Sequence, residues 1–288
     1  MTTYSDDFSG ETVSSPPSNW TARFDTTNQT LTIVNPSDGE AEDDRAIRLV
    51  HTAAGIRLIS FDSMDADANR QDSEIVIRFR FVTDNLTASD LTLQLWLRAS
   101  GSSGSEDGYE AYLDASGGVS WRWAIRRWDA GTASGNLDAF QVFRNPYRIL
   151  NGTRGFSSDD DPEVGVWYYA RFRVNSTTLQ FRQWAEGSPE PTTWDLEATD
   201  SDLNVDGWTG FGIRNDDEIE VDYVGAGTNG DTAPINISTN TVVRGSAAYA
   251  QVLNQEANPG FRVSAVYAQA LVKQGIPPET IRIAVITV

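Results

Sequence analysis

The chain has no cysteine and only one histidine, and each of these shortages excludes a class of chemistry. Without cysteine there is no disulfide framework, no thiolate metal site and no cysteine nucleophile. Because His51 is the single histidine, clustered-histidine zinc sites are excluded and a serine triad would have one candidate base. No Gly-x-Ser-x-Gly elbow accompanies it, so we expect His51 on an ordinary strand, in Arg48-Leu49-Val50-His51.

Positive charge is scarce as well. The chain carries 41 acidic and 22 basic residues, a formal net charge of −19 at pH 7. A field of that sign repels nucleic acid and anionic membranes, so we expect neither as a partner. No apolar run approaches the roughly 20 residues of a membrane-spanning helix. Met1–Asp7 lacks the basic and apolar regions of a secretory signal, so we expect a protein made in the cytoplasm without a signal peptide.

Arginine supplies nearly all of the positive charge, since Lys273 is the only lysine. Several arginines, among them Arg78 and Arg80, lie inside segments that alternate apolar and polar residues. Two interpretations stay open. The arginines lie on a solvated sheet face, where their pairs with carboxylates contribute little, or they line a binding face.

Alternation with a period of two is what the sequence has in abundance. Ile75, Ile77, Phe79 and Phe81 fall on one face of segment 74–82, as expected for a strand with one buried face. The other alternating segments are 91–98, 119–125, 168–174, 179–184, 209–214 and 219–224. Many such strands predict an all-β fold, an antiparallel β-sandwich. Two stretches without clean alternation, roughly 129–161 and 185–206, are predicted to be long loops.

The composition changes after Gly225. Residues 225–234 are rich in glycine and small polar residues, which predicts a linker between a domain at 1–229 and a region at 230–288. Beyond it, Val243–Leu253 aligns with Phe261–Leu271, and a third, degenerate copy covers Ile281–Val288. Repeats this short need another surface to cover their apolar face, so we expect an element for docking or oligomerisation, against the alternative of a cap on the sandwich. The candidate assembly residues are Arg244, Tyr249, Arg262, Tyr267 and Arg282.

The order of several segments carries a resemblance. They are Asp6-Asp7-Phe8-Ser9-Gly10 followed by Trp20, then Leu95–Arg98, Gly108–Asp114, Trp167–Val174, Trp184 with Glu190-Pro191 and Trp194, and finally Gly210–Ile213 and Val221–Val224. In this order, residues 4–227 resemble the concanavalin A-like (laminin G-like) jelly rolls. The resemblance implies that the first and last strands lie together, with a structural calcium held by Asp222 and Asp6 or Asp7. The alternative is that these carboxylates simply face water at strand ends.

The repeats carry a second resemblance. Their paired Arg-x-Ser-x-x-Tyr-Ala-Gln pattern, imperfect at Gly245 in the first copy, looks like short C-terminal repeats in structural proteins of tailed bacteriophages. That resemblance implies a virion protein, assembled in the host cytoplasm and released by lysis, whose partners are other virion proteins and copies of itself. It leaves open whether the location is tail, fibre or capsid exterior.

An enzymatic function is not supported by the motifs. Family 16 glycosidases of this fold use Glu-x-Asp-x-x-Glu on one strand, with carboxyl groups about 5–5.5 Å apart. The nearest string here, Glu220–Gly225, ends in glycine where the third carboxylate is required. We therefore predict no catalytic residues. A hydrolase or lyase of another kind, using scattered carboxylates, stays open as an alternative.

Aromatic residues point to sugar binding, because sugar rings stack on aromatic faces. Alternation places Trp121 and Trp123 with core residues, whereas Trp96 and Trp128 are expected to be exposed. The candidate carbohydrate-binding residues are Trp96, Tyr109, Tyr112 and Trp128. The sequence thus predicts a jelly-roll β-sandwich and a small β-repeat region, in a non-enzymatic virion structural protein whose sandwich binds a host-surface glycan. The alternatives are a polysaccharide-active enzyme or its carbohydrate-binding module, and a purely architectural module.

Overall fold

The computed structural model describes residues 2–24, 29–36, 45–51, 58–82 except 66 and 68, 92–114, 122–138, 141–142, 149–150, 153–154, and 164–235 except 187 and 215–217. The chain divides into two units, Met1–Asn236 and Ile237–Val288. The second unit contains the candidate assembly residues, Arg244, Tyr249, Arg262, Tyr267 and Arg282. These predictions lie outside the described residues.

The described part of the chain is built from strands. In chain order they are β1 (Thr2–Asp6), β2 (Trp20–Phe24), β3 (Gln29–Val34), β4 (Ala46–His51), β5 (Leu58–Phe61), β6 (Ser73–Phe81), β7 (Thr92–Ser100), β8 (Asp107–Asp114), β9 (Arg122–Asp129), β10 (Thr132–Asn136), β11 (Gln141–Val142), β12 (Ile149–Leu150), β13 (Thr153–Arg154), β14 (Tyr168–Asn175), β15 (Thr178–Ala185), β16 (Leu196–Thr199), β17 (Trp208–Arg214) and β18 (Glu218–Thr228). One 3-10 helix, Asp62–Met64, follows β5. The predicted all-β class is confirmed, and His51 ends an ordinary strand as expected.

Two antiparallel sheets form a sandwich. Sheet A has the order β16-β15-β14-β6-β18-β4-β3, with β1 also beside β18; sheet B has the order β10-β9-β8-β7-β17-β5-β2, with β11 also beside β9. A separate hairpin joins β12 to β13. The expectation that the first and last strands lie together is confirmed, since Thr2 stands opposite Thr228 and Asp6 opposite Val224.

The core lies between the sheets and uses the faces that alternation predicted. Ile75, Ile77, Phe79 and Phe81 of β6 are fully buried, and they pack with Leu93, Leu95 and Leu97 of β7 in one continuous cluster. Each such side chain contributes about 1.5–3 kcal/mol by leaving water, so the predicted face of β6 is a principal source of stability.

The prediction of long loops at 129–161 and 185–206 is wrong in part. Strand β16 lies inside the second stretch and pairs with Thr178–Phe181 of β15 at the edge of sheet A. Strand β10 lies inside the first stretch and pairs with the end of β9. Both are short edge strands, so each offers only two or three positions per face from which a period of two could be recognised.

The prediction of a linker at 225–234 is also wrong. Strand β18 continues to Thr228, a turn follows at residues 229–230, and residues 231–235, here called the strap, run back over the outer face of sheet A. A Cβ at Gly225 would clash with the carbonyl oxygen of Pro234. Gly225 therefore permits the close approach of two backbones. The glycine-rich composition of residues 225–234 had instead suggested a flexible linker.

The strap is fastened to the sandwich by packing and by hydrogen bonds. Ala233 is buried in an outer cluster with Val76 and Tyr223. The Tyr223 hydroxyl donates to the Pro234 carbonyl at 2.9 Å. Residues just beyond the boundary predicted at 229 are thus part of the sandwich's outer surface.

Candidate functional site

Three of the four predicted sugar-binding aromatics meet on the outer face of sheet B. Trp96 on β7, Tyr112 on β8 and Trp128 on β9 all point away from the main core, as strand alternation requires. Tyr109 occupies the opposite parity on β8 and belongs to the core cluster. Its hydroxyl donates to an Asp200 carboxylate oxygen at 2.7 Å, so it lies apart from the other three.

The expectation that Trp96 and Trp128 are exposed is wrong. Trp96 is fully buried, Trp128 is 7% exposed and Tyr112 is 6% exposed. The reason is a second apolar cluster on this outer face, in which Phe24 meets Trp96 at 5.8 Å and Trp96 meets Trp128 at 6.0 Å between ring centroids. The companion prediction that Trp123 belongs to the core is confirmed.

Sequence reasoning missed the polar centre of this face, Glu110. It stands opposite Trp96 on one side and Arg126 on the other, and it is fully buried. One carboxylate oxygen, Oε2, accepts a hydrogen bond from Trp128 Nε1 at 2.6 Å and another from Arg126 Nε. The available signal was a carboxylate at an outward, central position of β8, with Tyr112 two residues away on the same face.

The Arg126 guanidinium lies between two aromatic rings. Its Cζ is 4.0 Å from the centroid of Tyr112 and 4.9 Å from the centroid of Trp128, both within cation–π range. The Tyr112 hydroxyl donates to Asn136 Oδ1 at 2.9 Å, which fixes that ring. Two aromatic faces and one carboxylate therefore surround a single cation. Trp96, Glu110, Tyr112, Arg126 and Trp128 are called the Glu110 site below.

Two buried polar atoms of the Glu110 site have no hydrogen-bond partner among the described residues. They are Glu110 Oε1, a strong acceptor, and Trp96 Nε1, a donor. Leaving such groups unpartnered in a low-dielectric environment is costly. An acceptor and a donor on adjacent strands, flanked by aromatic rings, suit the hydroxyl groups and apolar faces of a sugar.

The residues predicted to hold calcium do not come together. Asp6 accepts hydrogen bonds from the Phe8 amide at 2.9 Å and from Trp20 Nε1 at 3.0 Å, and burial raises the pKa of its carboxyl. Asp7 accepts from the backbone and hydroxyl of Ser9 in an exposed turn. Asp222 pairs with Arg78 on the outer face of sheet A.

These three carboxylates therefore do not fit a shared calcium ion. Asp6 reaches Trp20 of sheet B on the inner side, whereas Asp222 points outward from sheet A. In the described ranges, no three acidic or histidine side chains are grouped as metal ligands.

The outer face of sheet A carries a network of arginines and carboxylates. Glu220 is fully buried and binds Arg80 Nε at 2.7 Å and Arg48 Nη2 at 2.5 Å. Asp222 pairs with Arg78. Both carboxylates of the glycosidase-like segment Glu220–Gly225 are therefore held in ion pairs. The expectation that the arginines lie on a solvated face is wrong for Arg80, which is 4% exposed.

The fold defines the protein as an antiparallel β-sandwich with a compact polar and aromatic site on one outer face. Its sequence matches no protein-family model and no curated protein. No helix in the described ranges is long and apolar enough to cross a membrane.

Similar solved structures include carbohydrate-binding and lectin-like sandwiches. The module CBM66 from Bacillus subtilis is 14% identical, with 69% of this chain and 94% of that module covered and a TM-score of 0.40. The CBM2 module of the Lactobacillus casei BL23 phage J-1 evolved Dit is 16% identical, with 80% and 96% covered and a TM-score of 0.43. The exoplasmic/lumenal domain of VIP36, in its Ca2+/Man3GlcNAc-bound form, is 11% identical, with 78% and 89% covered and a TM-score of 0.40. At these identities and TM-scores the similarities carry no argument about function.

Proposed function

We propose that this chain is a non-enzymatic structural protein of a tailed-bacteriophage virion whose sandwich binds a host-surface glycan at the Glu110 site. Residues 237–288, which follow the strap, attach the sandwich to other virion proteins or to copies of itself. The location of the protein within the particle, on tail, fibre or capsid exterior, is no part of this proposal.

One observation carries the glycan-binding part. Glu110 Oε1 and Trp96 Nε1 are buried, lack partners among the described residues, and lie on neighbouring strands beside the rings of Tyr112 and Trp128. Sugars present hydroxyl groups that both donate and accept, together with an apolar ring face, so they match this arrangement. The side chain of Arg126 is 13% exposed and forms the accessible edge of the site.

The attachment part is supported by the sequence repeats. The sequence repeats at 243–253, 261–271 and 281–288 are too short to bury a core alone, so we infer that they require another surface. Because the chain has no cysteine, assembly in a reducing cytoplasm would cost it no disulfide.

Glycan arrays followed by calorimetry on the full chain test the glycan-binding part. We expect selective binding that Trp128→Phe weakens about tenfold or more, because the Phe ring cannot donate to Glu110 and presents less aromatic face. Trp184→Phe is the matched control, since Trp184 is 5% exposed on the outer face of sheet A and stacks on Tyr169. Equal weakening by both variants, or no glycan bound at all, would overturn the proposed site.

The same mixtures of protein and polysaccharide test the alternative that the protein is a polysaccharide-active enzyme. We expect no shortening of the bound polysaccharide. Turnover that disappears on substitution of one carboxylate would instead establish a polysaccharide-active enzyme.

Immunogold labelling of purified phage particles tests the virion part of the proposal, and unlabelled particles would contradict it.

A further inference from the structure

The Glu110 site, as it stands, is filled by a cation that belongs to the chain itself. The Arg126 guanidinium lies 4.0 Å from the Tyr112 centroid and 4.9 Å from the Trp128 centroid, and its Nε donates to Glu110. Aromatic faces around a positive charge, closed by a carboxylate, form an arrangement that recognises ammonium groups in other proteins.

The buried charge of Glu110 limits what can replace Arg126 there. Glu110 is fully buried, and its ion pair is with Arg126. A neutral sugar that displaced Arg126 would leave the carboxylate buried and uncompensated, which is strongly unfavourable. An anionic sugar would add repulsion. A ligand that takes the Arg126 position must therefore bring a positive charge of its own.

We propose that the Glu110 site selects a glycan with a free, protonated amino group, which takes the place of the Arg126 guanidinium between Tyr112 and Trp128. This inference rests on the proposed glycan binding and specifies its ligand class. The amine pairs with Glu110, whose Oε1 has no partner among the described residues. Trp128 Nε1 keeps its bond to Oε2, and Trp96 Nε1 donates to a ring hydroxyl.

The exposure of the side chains and the overall charge favour this exchange. Arg126 is the most accessible member of the site, with 13% of its side chain exposed. Once displaced, its long side chain places the guanidinium in water, where a charge is well solvated. The net charge of −19 raises the local concentration of cationic ligands around the protein.

Calorimetry on the full chain with two matched probes tests the selection: a glucosamine oligosaccharide with free amines and the N-acetylated oligosaccharide of the same length. At a pH where the amines are protonated, we expect the wild type to bind the amine form about tenfold or more tightly. Arg126→Gln removes the internal competitor and should strengthen binding of the amine form. Circular dichroism and thermal unfolding establish that each variant is folded.

Two matched carboxylate variants distinguish selective binding of the amine at the Glu110 site from nonspecific attraction of a cation to an acidic protein. Glu110→Gln should abolish the preference for the amine form. Glu220→Gln removes the same charge from an equally buried, arginine-paired residue of sheet A and should retain the preference.

Three results would overturn the selection of an amine. They are equal or tighter binding of the N-acetylated probe, loss of preference in Glu220→Gln as well as Glu110→Gln, and weaker amine binding by folded Arg126→Gln. If neutral glycans bind and Trp128→Phe weakens them, glycan binding stands and only the amine selection fails. If neither wild type nor Arg126→Gln binds any glycan, the proposed function itself fails.

Discussion

Glu74 on β6 and Arg171 on β14 form a buried ion pair that also holds both backbone groups of Ala233. Glu74 Oε1 accepts from the Ala233 amide at 3.1 Å, and Arg171 Nη1 donates to the Ala233 carbonyl at 3.1 Å. Two side chains thus supply to the strap the donor and acceptor that a neighbouring strand would supply. The strap is thereby bound to sheet A although it is not a strand of it.

Removing one member of this pair should be severely destabilising. We expect Arg171→Met to lower the free energy of unfolding by about 3–5 kcal/mol, because Glu74 would be left buried with its charge poorly compensated. Urea unfolding of the full chain measures the change. Arg173→Met is the control, since Arg173 lies 3.7 Å from Glu74 with 24% of its side chain exposed, and it should cost under about 1 kcal/mol. Similar losses in the two variants would contradict the assigned role of the pair.

Gly225 should tolerate no side chain while the strap is in place. A Cβ there clashes with backbone at Pro234, which no side-chain rotation can relieve. We expect Gly225→Ala to displace the strap, to cost about 1–3 kcal/mol and to speed amide hydrogen exchange at residues 231–235. Gly10→Ala, where a Cβ meets nothing within 4 Å, should leave exchange in the strap unchanged. Unaltered protection of the strap in Gly225→Ala would show that the backbones do not approach as described.

Stability should fall at alkaline pH because of Tyr109. Burial, the largest cause, raises the pKa of Tyr109 from 10.0 to about 12, so folding favours the protonated phenol. Between pH 10 and about 12 the unfolded chain loses this proton while the folded chain keeps it, so stability declines as pH rises through that window. The loss amounts to about 2–3 kcal/mol in total.

Comparison of wild type with Tyr109→Phe isolates this contribution. The variant is expected to be less stable near neutral pH, since the hydroxyl binds Asp200, but its stability should decline less between pH 10 and 12. Urea midpoints measured across that range give the difference directly. Parallel curves for the two proteins would rule out the raised pKa.

Truncation should separate folding from attachment. A chain ending at Asn236 keeps the strap, so we expect it to stay folded and monomeric while losing the proposed attachment to other subunits. A chain ending at Gly230 lacks the buried Ala233 and the Tyr223–Pro234 hydrogen bond, so its melting temperature should be lower. Analytical ultracentrifugation and thermal unfolding check the two expectations. A 1–236 chain that assembles like the full chain would contradict the role of residues 237–288.

The identity of the site residues was only partly open to sequence reasoning. Trp96, Tyr109, Tyr112 and Trp128 are predicted as a group, and the pleat places all of them except Tyr109 on one face. Their burial was not foreseen, because the Phe24 cluster that covers Trp96 forms between strands far apart in sequence. Glu110 was missed for a different reason: its contacts with Trp96 and Arg126 depend on the register in which the consecutive strands β7, β8 and β9 pair.

The sequence by itself determined the all-β class and the core face of the strands with clear alternation, such as β6 and β9. A period of two places every second side chain on the same face of a strand, and β6 shows it at Ile75, Ile77, Phe79 and Phe81. Tertiary structure alone decided which outward-facing groups meet. The register of β8 and β9 places Glu110 beside Arg126, and the turn after β18 returns the strap onto Gly225. Neither meeting is encoded in a local pattern of the sequence.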